Sequence, residues 1–76
     1  MLYRDRVEID PAICSGKPVI RGTRILVTSI LSQLAAGASF DAIRKGFPGL
    51  ADDDIKVALE FAKQSVEATE LAALRD

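Results

Sequence analysis

The run Gly16-Lys17-Pro18-Val19-Ile20-Arg21-Gly22-Thr23-Arg24 has the greatest density of side chains able to do chemistry. It offers three cations, is stiff at Pro18 and can turn at Gly16 and Gly22. Such a segment could grip phosphates or enter an acidic pocket. It is not a phosphate-binding P-loop, because the order G-x-x-x-x-G-K-[ST] is missing and Lys17 precedes the second glycine. The plainer reading is a turn between two strands, with Thr23 bonded to backbone.

Little else points to catalysis. The chain has no histidine, so imidazole bases, His-ligated metals and switching near neutral pH are excluded. Its one cysteine, Cys14, has no thiol partner and reads as a structural thiol. No nucleophile and base can be paired, so no catalytic residue, cofactor or metal site is expected. Asp52, Asp53 and Asp54 are consecutive. On a helix they would diverge by about 100° each and could not converge on one ion. They fit better as the acidic first turn of a helix, where the dipole favours negative charge.

The elements that would position these groups divide the chain near residue 25. Arg6-Val7-Glu8-Ile9-Asp10 alternates as a half-buried strand ended by Pro11. Residues 12–17 form a loop, Pro18–Arg21 is extended, and Thr23-Arg24-Ile25 is read as another short strand. Val27, Ile30, Leu31 and Leu34 then start a helical period that Gly37 ends. Ser39 caps a second helix, Phe40–Phe47, with Ile43 on its inner side. A third helix is predicted from Asp52 to about Leu74, with Ala51 as a poor N-cap and Leu50 and Ile55 as a hydrophobic staple. Its apolar line is read as Ile55, Leu59, Ala62, Val66, Thr69 and Ala73, with a second stripe at Ala68, Leu71, Ala72 and Leu74. These stripes either fold back over the strands or bind a partner, a second copy included.

The chain of 76 residues suits one domain, with a β element and basic turn over 1–25 and a helical body over 27–76. Eleven alanines and few aromatics favour packed helices with an aliphatic core of Leu, Ile and Ala. Residues 1–24 hold five basic and three acidic side chains, whereas the remainder holds five and eight. The first residues lack an apolar leader core, and no apolar run approaches ~18 residues, so a cytoplasmic chain is expected.

Strands followed by three helices, with a tight turn between the first two, suggest a trihelical, homeodomain-like domain of helix-turn-helix type. The helix from Asp52 would then be the recognition helix, but three aspartates at its start would repel phosphates. If DNA is bound, Arg4, Arg6, Arg21 and Arg24 are the better contacts. Those arginines could equally form a solvated face paired with nearby acids.

The residues also resemble a known family. Ile9-Asp10-Pro11, Ile13-Cys14-Ser15-Gly16-Lys17-Pro18-Val19-Ile20-Arg21-Gly22-Thr23-Arg24-Ile25, Leu34-Ala35-Ala36-Gly37-Ala38-Ser39 and Phe47-Pro48-Gly49-Leu50, with Asp54-Ile55 and Ala58-Leu59, look like the domain of unknown function 433 family. The resemblance spans about residues 6–62. It implies a prokaryotic homeodomain-like fold with an N-terminal β element. It also implies an antitoxin of a type II toxin–antitoxin pair, similar to VapB, whose partner resembles a PIN-domain ribonuclease. The family commonly has Ser or Thr where Ala51 stands.

On that reading a cation delivered into the nuclease's carboxylate cluster would displace Mg²⁺. Arg21 and Arg24 are the first candidates, with Lys17 beside them, and Arg75 is the second. Val66, Leu71 and Leu74 would add buried area. The alternatives are a DNA-binding regulator, autoregulation of its own operator included, and a homo-oligomeric scaffold with no toxin.

Overall fold

The computed structural model describes residues 1–69. Three two-residue strands, β1 (Leu2–Tyr3), β2 (Val7–Glu8) and β3 (Val19–Ile20), precede three helices, α1 (Val27–Ala35), α2 (Phe40–Gly46) and α3 (Asp52–Glu67). The strands form an antiparallel sheet in the order β1-β2-β3. Leu2 pairs with Glu8, Tyr3 with Val7, Val7 with Ile20 and Glu8 with Val19. The architecture is mainly α, with a small sheet capping the helices.

The sheet departs from the sequence reading in two places. β1 has no counterpart in it. The turn into β2 holds Arg4 (φ 50°) and Asp5 (φ 57°) in the left-handed region, closed by Arg6 N–H to the Tyr3 carbonyl at 3.1 Å. Two successive left-handed residues make a type I′ turn, normally signalled by Asn or Gly. The strand expected at Thr23-Arg24-Ile25 is replaced by one antiparallel bridge, Val19 to Leu26. Thr23 is busy closing the preceding turn, so pairing resumes only beyond it, with Ile20 N–H donating to the Ile25 carbonyl at 2.9 Å.

Helix boundaries follow local chemistry. Leu26 and Val27 switch the backbone from bridge to α1. α1 ends in a Schellman motif, with Gly37 N–H to Leu34 O and Ala38 N–H to Gln33 O, both 3.0 Å. Ser39 Oγ accepts from Ala42 N–H at 3.1 Å, so the predicted cap of α2 is in place. Pro48 and Gly49 (φ 93°) then form a type II turn, closed by Leu50 N–H to Phe47 O at 3.0 Å. That position needs φ > 0, which Gly takes without strain.

The buried cluster is Val7, Ile20, Val27, Ile30, Ile43, Leu50, Ile55 and Ala58. It is thus a valine and isoleucine core. Leu50 and Ala58 are the only fully buried leucine and alanine among the described residues, fewer than the composition led us to expect. The staple residues Leu50 and Ile55 both enter it.

α3 ends at Glu67, not near Leu74. Its buried face also runs along a different line from the predicted stripe. Ile55 and Ala58 are buried and Val57, Phe61 and Ala62 are half-buried, whereas Leu59 is 42% and Val66 71% exposed. Both readings satisfy a helical period. Packing decides between them, because Ile55 and Ala58 join the cluster with Val27, Ile30 and Ile43, and Tyr3 meets Phe61 edge to face at 5.4 Å between ring centroids. These contacts together turn the 54/58/61 side of α3 inward.

Candidate functional site

β3, the Arg21–Gly22 turn and the loop over residues 12–17 form one end of the sheet. Gly22 (φ 78°) sits at the third position of a turn closed by Thr23 N–H to Ile20 O at 3.0 Å. This is a type II turn, which requires that φ. Thr23 Oγ1 reinforces it, donating to Ile20 O at 2.7 Å and accepting from Ile25 N–H at 3.0 Å. The turn is thereby held rigid while Arg21 and Arg24 stay exposed.

Opposite lies an unusual loop. Cys14 (φ 48°), Ser15 (φ 58°) and Gly16 (φ 82°) are all left-handed. The first two positions cost of order 1 kcal/mol each for residues with a Cβ. Asp10 Oδ1 secures the loop entry by accepting from Ala12 N–H at 2.8 Å. Cys14 is half-buried with its Sγ 4.0 Å from the Arg24 carbonyl, which ties loop to turn. Glu8, Ile13, Gly22, Thr23 and Arg24 line an open groove of about 380 Å³ between them.

Lys17, Arg21 and Arg24 are all exposed, and among the described residues none of them makes an ion pair. Arg21 and Arg24 flank the turn that follows β3, whereas Lys17 stands in the loop that precedes it. The other predicted arginines are differently placed. Arg6 Nη1 donates to Asp54 Oδ1 at 2.8 Å, and its Nη2 lies 3.6 Å from Asp53 Oδ2. It is a half-buried residue already engaged by two acids of α3. Arg4 is exposed, lies 5.6 Å from the centre of the Tyr3 ring and reaches Glu60 at 3.8 Å. Its pKa is raised by the hydrogen bond to the Tyr3 hydroxyl first, and then by the Tyr3 and Glu60 charges. Val66 is exposed on α3, while Leu71, Leu74 and Arg75 lie outside the described residues.

The residue that sequence reasoning undervalued is Asp54. It is 9% exposed and accepts from Arg6 with one oxygen and from Ala51 N–H at 2.9 Å with the other. This is the return half of a capping box. The forward half is missing, because Ala51 carries no side-chain oxygen. Asp52 pairs with Arg44, Asp53 approaches Arg6, and Asp54 turns inward. The three carboxylates diverge as helix geometry dictates. Among the described residues no group of three or more His, Cys, Asp or Glu side chains could hold a metal ion. Nor is any described helix long and apolar enough to cross a membrane.

Comparison with known proteins places this arrangement. A crystal structure of a DUF433 member protein from Anabaena variabilis ATCC 29413 superposes with a TM-score of 0.76 at 31% identity, covering 82% of this chain and 61% of that one. The uncharacterized protein y4eO of Sinorhizobium fredii (strain NBRC 101917 / NGR234) is 35% identical over 60 residues, which are 79% of this chain. The chain spans only about a quarter of that relative, 27% of its length. The family model described as protein of unknown function (DUF433) matches residues 7–62. That span takes in Lys17, Arg21, Gly22, Arg24 and Asp54, and leaves Arg4, Arg6 and Val66 outside. With most of its length under that model, the chain belongs to the DUF433 family.

Proposed function

We propose that this chain is the antitoxin of a type II toxin–antitoxin pair and neutralises a PIN-like ribonuclease through the Arg21–Arg24 turn. The observation that carries the reading is the pair of exposed cations without ion pairs, Arg21 and Arg24, at a rigid turn, with Lys17, exposed and likewise without an ion pair among the described residues, in the loop before β3. Cations that make no ion pair within their own domain are free to meet carboxylates elsewhere. A nuclease that holds Mg²⁺ with clustered carboxylates offers such a target, and a guanidinium seated there competes with the metal. A rigid turn delivers the charge with little ordering cost. Family membership and the resemblance of the turn's residues are consistent with this role.

In the same reading the three helices are the homeodomain-like set, with α2 and α3 as the helix-turn-helix pair. Asp52 and Asp53 are exposed at the start of α3, where a recognition helix would meet phosphates. Arg6 is already engaged by acids of α3, and Arg4 reaches a third. Both facts favour a protein partner over operator DNA as the main ligand.

The test is to co-express the chain with the neighbouring gene product and measure ribonuclease activity. Wild type should silence it in a stoichiometric complex. The double variant R21A/R24A should fold normally and fail to neutralise. Full neutralisation by that variant would remove the turn from the mechanism, and absence of any complex with wild type would remove the antitoxin reading.

A further inference from the structure

One acid withdrawn from water has no partner. Glu8 stands on β2, the central strand, directly after Val7, which is buried in the core. Successive side chains of a strand point to opposite faces, so Glu8 lies on the outer face of the sheet. Val19, its register partner on β3, is 1% exposed without belonging to the main buried cluster, so that face is covered as well. Glu8 is itself half-buried. Its carboxylate makes no ion pair and no hydrogen bond among the described residues. The other described acids that are not exposed all have one. Asp10 accepts from the Ala12 amide, Asp54 from Arg6 and the Ala51 amide, and Glu60 reaches Arg4.

Glu8 shares the open groove with Ile13, Gly22, Thr23 and Arg24. A partner that seats on Arg24 therefore covers Glu8 too. A carboxylate that loses its remaining water must gain a donor, or its desolvation opposes binding. The domain has no side chain to offer. Thr23 Oγ1 already donates to the Ile20 carbonyl, and Lys17 and Arg21 do not line the groove. Arg24 is itself committed to the carboxylates of the ribonuclease. We propose, building on the antitoxin reading, that the partner supplies the donor as a lysine or arginine side chain beside its acidic cluster, and that Glu8 receives it. Ile13 gives the aliphatic stem of such a side chain an apolar wall, and the groove is too open to enclose a small molecule. Arg21 and Arg24 alone would accept any clustered carboxylates. Glu8 makes the contact selective, because an acid placed against it is repelled and an apolar surface leaves it unsatisfied.

The chain and the neighbouring gene product, purified separately and mixed in a calorimeter, test this. Wild type should bind. E8Q should weaken binding about tenfold and E8K about a hundredfold or more, each with an unchanged far-ultraviolet spectrum. D5N, at an exposed acid outside the groove, should bind as wild type does. When the lysines and arginines of the partner are changed to glutamate one at a time, one such variant should restore binding to E8K and lose it to wild type. If E8Q and E8K both bind within about twofold of wild type, Glu8 is no part of the contact and the antitoxin reading stands without it. A loss in E8K that no reversal on the partner restores overturns the proposal equally, since Glu8 would then act through its own fold. A wild-type chain that forms no complex overturns the antitoxin reading, and the role of Glu8 with it.

Discussion

Replacing Asp54 by alanine should destabilise the domain more than any other single change to a charged residue among those described. The carboxylate is nearly buried and makes two bonds, to Arg6 Nη1 at 2.8 Å and to Ala51 N–H at 2.9 Å. Hydrogen bonds to charged groups contribute roughly 1.5–3 kcal/mol each. Arg6 keeps about two-fifths of its side chain in water and can rehydrate, and the freed Ala51 amide lies at an exposed residue. The net loss is therefore about 2–3 kcal/mol, toward the lower end for two such bonds. For 76 residues the unfolding entropy converts 1 kcal/mol into about 6 °C, so Tm should fall by about 15 °C. Thermal unfolding followed by circular dichroism at pH 7 measures this directly. Asp53→Ala is the internal control, since its contact with Arg6 is 3.6 Å and exposed and should contribute under ~0.5 kcal/mol. A double-mutant cycle of Asp54→Ala with Arg6→Ala should give a coupling of at least about 1 kcal/mol. If Asp54→Ala moves Tm no further than Asp53→Ala, or if the cycle shows no coupling, the claim that this pair joins sheet to helix is wrong.

Three further outcomes are expected. Ala51→Thr supplies the missing forward half of the capping box at an exposed, extended N-cap and should raise stability by about 1 kcal/mol, read as a higher Tm. Gly22→Ala meets no atom within 4 Å but must hold φ at 78°. It should lower stability by about 1–2 kcal/mol through the backbone alone, and urea titration should show this with an unchanged m-value. The R21A/R24A chain should unfold within ~0.5 kcal/mol of wild type, so that any loss of neutralisation reports binding and not folding.

Much of this fold was legible because its punctuation follows strong local rules. Ser39, Gly37, Pro48-Gly49 and the acidic start of α3 each satisfy or terminate backbone in a way their side chains announce. What stayed hidden has physical reasons too. β1 is two residues long and its turn uses Arg4 and Asp5 where Asn-Gly would be the usual signal. The face of α3 was ambiguous because apolar residues occupy two adjacent lines, and packing against distant segments, Val27, Ile30 and Ile43 in the core and Tyr3 on Phe61, selects one. The exposed cations of the candidate site were evident from composition, since Lys17, Arg21 and Arg24 sit in one short run. Their freedom from ion pairs was not, because it depends on where Glu8 and the acids of α3 lie in space. Arg6 and Asp54 are 48 positions apart in the chain, and no local pattern could have paired them.

Arg6 has a consequence that reaches beyond stability. Its guanidinium holds Asp54, whose other oxygen holds the Ala51 amide, while its own carbonyl accepts from Arg21 N–H at 2.7 Å. The base of the cationic turn and the first turn of α3 therefore hang on the same residue. Opening one loosens the other, so their amides should exchange with solvent as one cooperative unit. A partner that grips Arg21 and Arg24 would slow exchange at Ala51, on the far side of Arg6, without touching it. A slowing confined to the turn would mean that Arg6 transmits nothing, and that the two regions breathe separately.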